Sequence, residues 1–192
     1  MPATAPRTVV FPLFPDFQLL DVAGPLESFS LAERIAGVAT YDLRLLSAEG
    51  GMVRSSSGVA LPAETLSAFA RRRIDTLIVP GGYGVLDAAN DRRLVDWVAR
   101  HAPRARRAGS VCSGAFVVAE AGLLKGRRAA THWSRCDQLA QRFPDLTVER
   151  DAIFVRDGAI FTSAGVTAGI DLALALIEED LGRDIAMQVA RH

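Results

Sequence analysis

The fold is indicated most clearly by the sequence Arg107-Ala108-Gly109-Ser110-Val111-Cys112-Ser113-Gly114. Its first five residues predict a short buried strand, and apolar residues at helical spacing follow over residues 113–121. A strand that runs directly into a helix leaves Cys112 on a sharp turn, where only small neighbours fit. Gly109, Ser110 and Gly114 meet that requirement, so the segment predicts a nucleophile elbow in an α/β sheet.

The rest of the chain repeats this alternation of strand-like and helical segments, which is typical of a parallel sheet covered by helices on both faces. The predicted strands are Thr8–Phe14, Tyr41–Ser47, Thr76–Val79, Arg107–Val111, Thr147–Val148 with Ile153–Arg156, and Ile160–Thr162. The predicted helices are Pro25–Ala36, Ala63–Phe69, Arg92–His101, Ser113–Ala121, Ser134–Arg142, Thr167–Leu181 and Arg183–Arg191. With a small hairpin over Val53–Leu61, this predicts one α/β domain, residues 1–192, with a doubly wound, mostly parallel sheet.

The predicted helix ends rest on proline and glycine. Pro25 suits a first helical turn, because its missing N–H costs nothing there, and Gly37 and Gly122 suit helix ends. The last predicted helix, Arg183–Arg191, is followed by no glycine, asparagine or proline that would end it. We therefore expect a further domain to follow in the natural protein, and a frayed natural C-terminus is the alternative.

Charge and motif content exclude several classes of protein. The 192 residues carry 22 basic and 22 acidic side chains, and zero net charge argues against nucleic-acid binding by this domain alone. The arginine cluster Arg104–Arg107 is expected to be a solvated strand end. No GxGxxG or P-loop pattern occurs, so no nucleotide cofactor is predicted.

Cysteine and histidine usage predicts neither disulfides nor a metal site. Cys112 and Cys136 belong to no CxxC or Cys/His cluster, and the three histidines are dispersed along the chain. The most apolar stretch, residues 160–177, contains Asp171 and is expected to form a buried strand, turn and helix rather than a membrane span. With no targeting signal, the cytoplasm is the expected location.

Cys112 is the first candidate site residue. The helix that begins at Ser113 is expected to direct N–H groups and a partial positive charge at the thiol, which would favour the thiolate and lower the pKa of Cys112. A buried structural cysteine is the alternative.

Loops at the same edge of the sheet supply further candidates. The Pro80-Gly81-Gly82-Tyr83 turn allows close backbone approach, and with the Ser113 N–H it is predicted to form an anion or oxyanion pocket. Asp21 is expected to contact the pocket, whereas Glu27 is expected to face solvent. A polar pocket without an arginine is therefore predicted, framed by Asp21, Tyr83, Cys112, Ser113, His132 and Thr167.

His132 and Thr167 each have a second interpretation. A histidine near a cysteine can act as the base that activates a nucleophilic thiol, but a histidine that caps a buried helix end has the same sequence pattern. The residues around Thr167 either line the pocket or only allow close packing of the following helix.

Six blocks of this sequence together resemble the ThiJ/PfpI superfamily, and the likeness covers essentially the whole chain. The blocks are Asp21–Pro25, Val79–Gly82, Ser110–Phe116, Ala121–Ala129, Thr131–Trp133 and Thr162–Asp171. The resemblance implies a flavodoxin-like fold related to class I glutamine amidotransferases.

Two branches of that superfamily match, and both imply a homodimer. In the N-terminal domain of AraC-type transcriptional regulators, a domain of this kind senses a small metabolite, and a C-terminal helix-turn-helix domain binds DNA. In the isocyanide hydratase branch, the nucleophile would be Cys112 and the acid Asp21, with Ser113 in place of a threonine. The protease-like and glyoxalase-like branches fit less well, because Ser113 follows the cysteine where a histidine is wanted. The regulatory branch is the leading hypothesis, with Cys112 as a ligand contact.

Overall fold

The computed structural model describes residues 5–192 and contains an eight-stranded sheet and a separate two-stranded one. The strands are β1 Arg7–Leu13, β2 Tyr41–Ser47, β3 Gly51–Arg54, β4 Ala60–Thr65, β5 Thr76–Val79, β6 Arg107–Ser110, β7 Arg128–Ala129, β8 Thr147–Val148, β9 Phe154–Asp157 and β10 Ile160–Ser163. The helices are α1 Leu19–Ala36, α2 Val85–Asn90, α3 Arg92–His101, α4 Ala115–Glu120, α5 Cys136–Arg142, α6 Ala168–Leu181 and α7 Arg183–Val189. Shorter 3-10 turns span Leu66–Phe69, Ala102–Arg104, Cys112–Gly114 and Trp133–Arg135.

The strands of the large sheet run in the order β3-β4-β2-β1-β5-β6-β10-β9. All neighbours from β4 to β10 pair in parallel, and only the outermost pairs, β3 with β4 and β10 with β9, are antiparallel. Helix α1 packs against α6 and α7, while α2 and α3 pack against α4, which gives two groups of helices for the two faces of the sheet. The doubly wound, mostly parallel sheet and the small hairpin are confirmed.

Two helix predictions were wrong. The predicted helix Ala63–Phe69 is wrong over its first three residues, which belong to strand β4, because Glu64 and Thr65 pair with the end of β2. Only the 3-10 turn Leu66–Phe69 remains of the predicted helix, and Thr65 caps it by accepting the Ala68 N–H at 3.3 Å.

The first helix begins at Leu19, so Pro25 lies inside α1 and not in its first turn. Val22 is fully buried, and packing of this first turn outweighs the hydrogen bond that the proline cannot donate. The predicted helix end at Gly37 is confirmed, since this residue has φ +67°. Helix α2 was not predicted.

The arginine cluster at the start of β6 is not a solvated strand end throughout. Arg107 is 2% exposed, and its Nη2 donates to Asp180 Oδ2 at 2.5 Å. The buried Asp180 also accepts from Arg106 at 2.7 Å, so the two arginines join β6 to the end of α6. A buried charge persists only when it is paired in this way.

Residues 160–177 form β10, a loop and the start of α6, as predicted. Within the described residues no helix combines the length and the apolar character that a membrane span requires.

Candidate functional site

Cys112 occupies a strained backbone position directly after β6. Its φ is +55°, a region that residues other than glycine rarely adopt. Its N–H donates to Ala164 O at 3.1 Å, and its carbonyl accepts from Thr131 Oγ1 at 3.0 Å. Contacts from two other loops therefore hold this strained turn, the elbow, in place.

The elbow packs directly against the turn that follows β5, and glycines make this approach possible. A Cβ atom on Gly81 would lie 2.6 Å from Ser113 N, and one on Gly114 would lie 2.3 Å from Val79 O. Both positions must lack a side chain for the two backbones to meet at this distance.

The N–H groups of this turn have partners inside the protein. Gly81 N donates to Asp21 Oδ2 at 2.9 Å, and Gly82 N donates to Ser113 Oγ at 3.1 Å. The structure thus differs from the predicted oxyanion pocket, in which these N–H groups would face a ligand. Ser113 instead ties the elbow to the glycine turn.

Asp21 lies beneath the elbow with its side chain fully buried. Burial raises the pKa of its carboxyl to about 7, although the Gly81 N–H and the neighbouring Cys112 thiol act in the opposite direction. Its Oδ1 atom has no hydrogen-bond partner among the residues that the structure describes. Asp21 therefore changes its charge near neutral pH, beside the thiol.

The predicted low pKa of Cys112 was wrong. Burial raises the pKa of the thiol to about 11, and the negative charge of Asp21 adds to the effect. The N–H groups of Ser113 and Val166 and the Ser113 side chain act in the opposite direction, but they do not outweigh burial. Helix α4 begins only at Ala115 and has six residues, so the turn at Cys112 gains little from a helix dipole.

A cavity of about 360 Å³ opens above the thiol. The structure brings five predicted residues to its wall: Gly82, Tyr83, Cys112, Ser113 and His132. Asp21 and Gly81 lie behind this wall, and Thr167 is exposed outside it. Three lining residues were not predicted, namely Gln18, Ser134 and Arg135, and Val166 belongs to the stretch around Thr167 that was expected either to line the pocket or to allow close packing.

Arg135 corrects the prediction that the pocket lacks an arginine. The 3-10 turn Trp133–Arg135 directly follows His132 and brings Arg135 to the cavity wall. The proximity of Ser134 and Arg135 to His132 in sequence was the only signal for them, and it does not fix which side chains face the cavity.

His132 has the orientation of a capping residue. Its Nδ1 accepts the backbone N–H of Ser134 at 3.3 Å and lies 2.8 Å from Ser134 Oγ. Since a backbone N–H can only donate, Nδ1 is the acceptor in this contact. The ring packs on Gly165, where a Cβ would lie 2.4 Å from Cδ2. His132 thus makes no hydrogen bond to Cys112 and is not placed as its base.

No cluster of three or more potential metal-ligating side chains occurs among residues 5–192. The described residues around the cavity offer a ligand the Cys112 thiol, the hydroxyl groups of serine and tyrosine, one amide, one imidazole and one guanidinium.

Comparison with known proteins gives consistent matches along the chain. The sequence profile of the DJ-1/PfpI family matches residues 7–179. Isonitrile hydratase from Pseudomonas putida is 38% identical over 93% of this chain and 74% of its own length. The HTH-type transcriptional regulator CdhR from Pseudomonas aeruginosa is 35% identical over 95% of this chain, which spans 53% of the regulator. The crystal structure of a ThiJ/PfpI family protein from Pseudomonas syringae superposes with a TM-score of 0.85 and 30% identity, over 98% of this chain and 74% of that one.

Proposed function

Because the chain belongs to the DJ-1/PfpI family, we propose that it is the small-molecule-sensing domain of an AraC-type transcriptional regulator, with the cavity over Cys112 as its ligand site. One observation carries the proposal. The Cys112 thiol, whose pKa is raised to about 11, has no histidine or cationic side chain hydrogen-bonded to it among the described residues, and the ionisable group beside it is the Asp21 carboxyl. A thiol that stays protonated at neutral pH can contact a ligand but is a poor nucleophile.

Similarity to a regulator over nearly the whole of this chain supports the same function. CdhR aligns with nearly all of this chain, yet the chain spans about half of CdhR. On this proposal the remaining half of a regulator binds DNA, and the present domain binds the metabolite without contacting DNA. The proposal places the domain in the cytoplasm as part of a homodimer.

Isonitrile hydratase activity is the second candidate, and the Asp21–Cys112 pair favours it. A carboxyl with a pKa of about 7 beside a strained cysteine is suited to proton transfer. The sulfur would attack the isocyanide carbon and that carbon would take up a proton, which gives a thioimidate. Water would then add to the thioimidate carbon, and breakage of the C–S bond would release the N-formamide and the free thiol.

Ligand binding without turnover is the expected result for the purified protein. Amines and amino acids are screened by thermal unfolding, where a ligand at 100 times its Kd stabilises the folded state by about 2.7 kcal/mol. The bound compound is then recovered and compared with the starting material by mass spectrometry. We expect it to be unchanged.

An aryl isocyanide provides the opposing test. Formamide production is followed by NMR between about pH 6 and 9, with wild type and Cys112→Ser side by side. The sensing proposal predicts the same slow background for both proteins. Formamide production that is fast in wild type and lost in Cys112→Ser would replace it with the hydratase function.

A further inference from the structure

The donor groups on the cavity wall indicate the charge of the ligand. Among the described lining residues, Arg135 contributes the one guanidinium. Gln18 Oε1 accepts from Ser56 Oγ at 3.4 Å, which leaves the Gln18 amide N–H₂ as a further donor. None of the described residues that line the cavity carries a carboxylate. The wall is therefore complementary to an anion.

Arg135 has a free edge of the shape that a carboxylate fits. Its Nη1 donates to Gln138 Oε1 at 2.7 Å, which holds the side chain from one side. Its Nε and Nη2 atoms have no partner among residues 5–192, and no acidic side chain there forms an ion pair with it. Two parallel N–H groups on one edge of a guanidinium bind both oxygens of a carboxylate.

Other arginines of the described residues that lack an acidic partner, such as Arg71, Arg100 and Arg183, are exposed, whereas the more buried arginines are paired. Arg93, Arg106 and Arg107 each contact two acidic side chains. Arg150, close to Arg135 in the fold, pairs with Asp137 at 2.6 Å. Arg135 instead lies half-buried at a cavity and is held by a neutral amide.

From this arrangement we propose that the cavity over Cys112 takes a small carboxylate, bound through the Nε and Nη2 edge of Arg135. The inference rests on the proposed function, in which this cavity is the ligand site. A single planar guanidinium matches a monocarboxylate in charge and geometry, and a volume of about 360 Å³ limits the ligand to a small metabolite.

Alkylation of Cys112 tests the proposal without knowledge of the natural ligand. Iodoacetate and iodoacetamide differ only in a carboxylate against a carboxamide. With either reagent, the thiol proton goes to solvent, the sulfur attacks the methylene carbon, a C–S bond forms, the C–I bond breaks and iodide leaves. The ratio of the two rate constants at Cys112, measured by peptide mass spectrometry, reports how the cavity treats a carboxylate. Any change in thiol pKa affects both rates equally and cancels in the ratio.

In Arg135→Gln we expect the ratio of the iodoacetate to the iodoacetamide rate constant to fall about tenfold, because a charge-assisted hydrogen-bonded pair is lost. Arg135→Lys should keep part of the preference through its charge. Arg150→Gln removes the same charge outside the cavity and should leave the ratio unchanged. An unaltered iodoacetamide rate in Arg135→Gln shows that the cavity is intact.

Two results would overturn the inference. The first is that Arg135→Gln keeps the wild-type ratio of the two rate constants. The second is that the ratio falls as much in Arg150→Gln as in Arg135→Gln, which would show that the preference comes from the overall positive charge of this surface. The outcome is separate from that of the sensing proposal. Cys112-dependent turnover of an isocyanide would overturn the sensing proposal without changing the ratio of rate constants. An unchanged ratio in Arg135→Gln would overturn the proposal of a carboxylate ligand and leave the sensing proposal in place.

Discussion

Asp21→Asn is expected to gain stability relative to wild type as the pH rises. The free energy of unfolding of the variant minus that of wild type should be about 4 kcal/mol larger near pH 8 than near pH 4. The folded-state pKa of Asp21 is raised from 3.8 to about 7. Between these values the folded protein holds a proton that the unfolded chain has released. Wild type therefore loses stability as pH rises through this window, and above about pH 7 the loss is complete.

Asparagine removes the titration and keeps the nearby contact. Its side-chain oxygen can still accept the Gly81 N–H, which Asp21 accepts at 2.9 Å. Urea unfolding of both proteins at the two pH values gives the four free energies required. Asp151→Asn, at an exposed position, is the matched control and should show no such pH-dependent difference. If Asp21→Asn and wild type differ equally at both pH values, the carboxyl does not have a raised pKa.

Gly109→Ala is expected to destabilise the protein by at least about 4 kcal/mol or to prevent folding. Gly109 lies in β6, paired on one side with Ile78 of β5 and on the other with Phe161 of β10. A Cβ atom at this position would lie 1.6 Å from the carbonyl oxygen of Phe161. Since the obstacle is backbone of a neighbouring strand, no rotamer change relieves it, and the pairing of β6 with β10 must open.

Gly122→Ala is the matched control for this substitution. Gly122 has φ +78° and no neighbour within 4 Å of an added Cβ, so only the left-handed backbone is penalised, at about 1–2 kcal/mol. Circular dichroism and urea unfolding of the two variants provide the comparison. Equal stability of Gly109→Ala and Gly122→Ala would show that the register of β6 with β10 is incorrect.

The core of the sheet could be predicted because local pattern and tertiary position agree there. Tyr41–Ser47 and Thr76–Val79 have the predicted bounds, since short apolar runs in a buried parallel sheet are distinct in sequence. Residues 63–69 were misassigned because pairing with β2, a long-range contact, determines their conformation. The start of α1 was missed because Pro25, a usual first-turn residue, lies within a helix that packing stabilises.

The site was only partly predictable for the same reason. The sharp turn at Cys112 was expected from small residues next to one another in sequence, and Cys112 has φ +55° there. The pKa of its thiol depends instead on burial and on Asp21, which is 91 positions earlier in the chain. Arg135 reaches the cavity through the orientation of a 3-10 turn, and Arg107 is buried through its pairing with Asp180. Neither arrangement is encoded in local sequence.

The pH dependence of Cys112 alkylation measures directly whether this thiol is protonated at neutral pH. Wild type is treated with iodoacetamide between about pH 6 and 9.5, and peptide mass spectrometry separates Cys112 from Cys136. With the pKa of the thiol raised to about 11, the rate at Cys112 should keep rising across the whole range without a plateau. A rate that levels off by about pH 7 would show a stable thiolate and would contradict the account, because Cys112 would then be a nucleophile ready for catalysis.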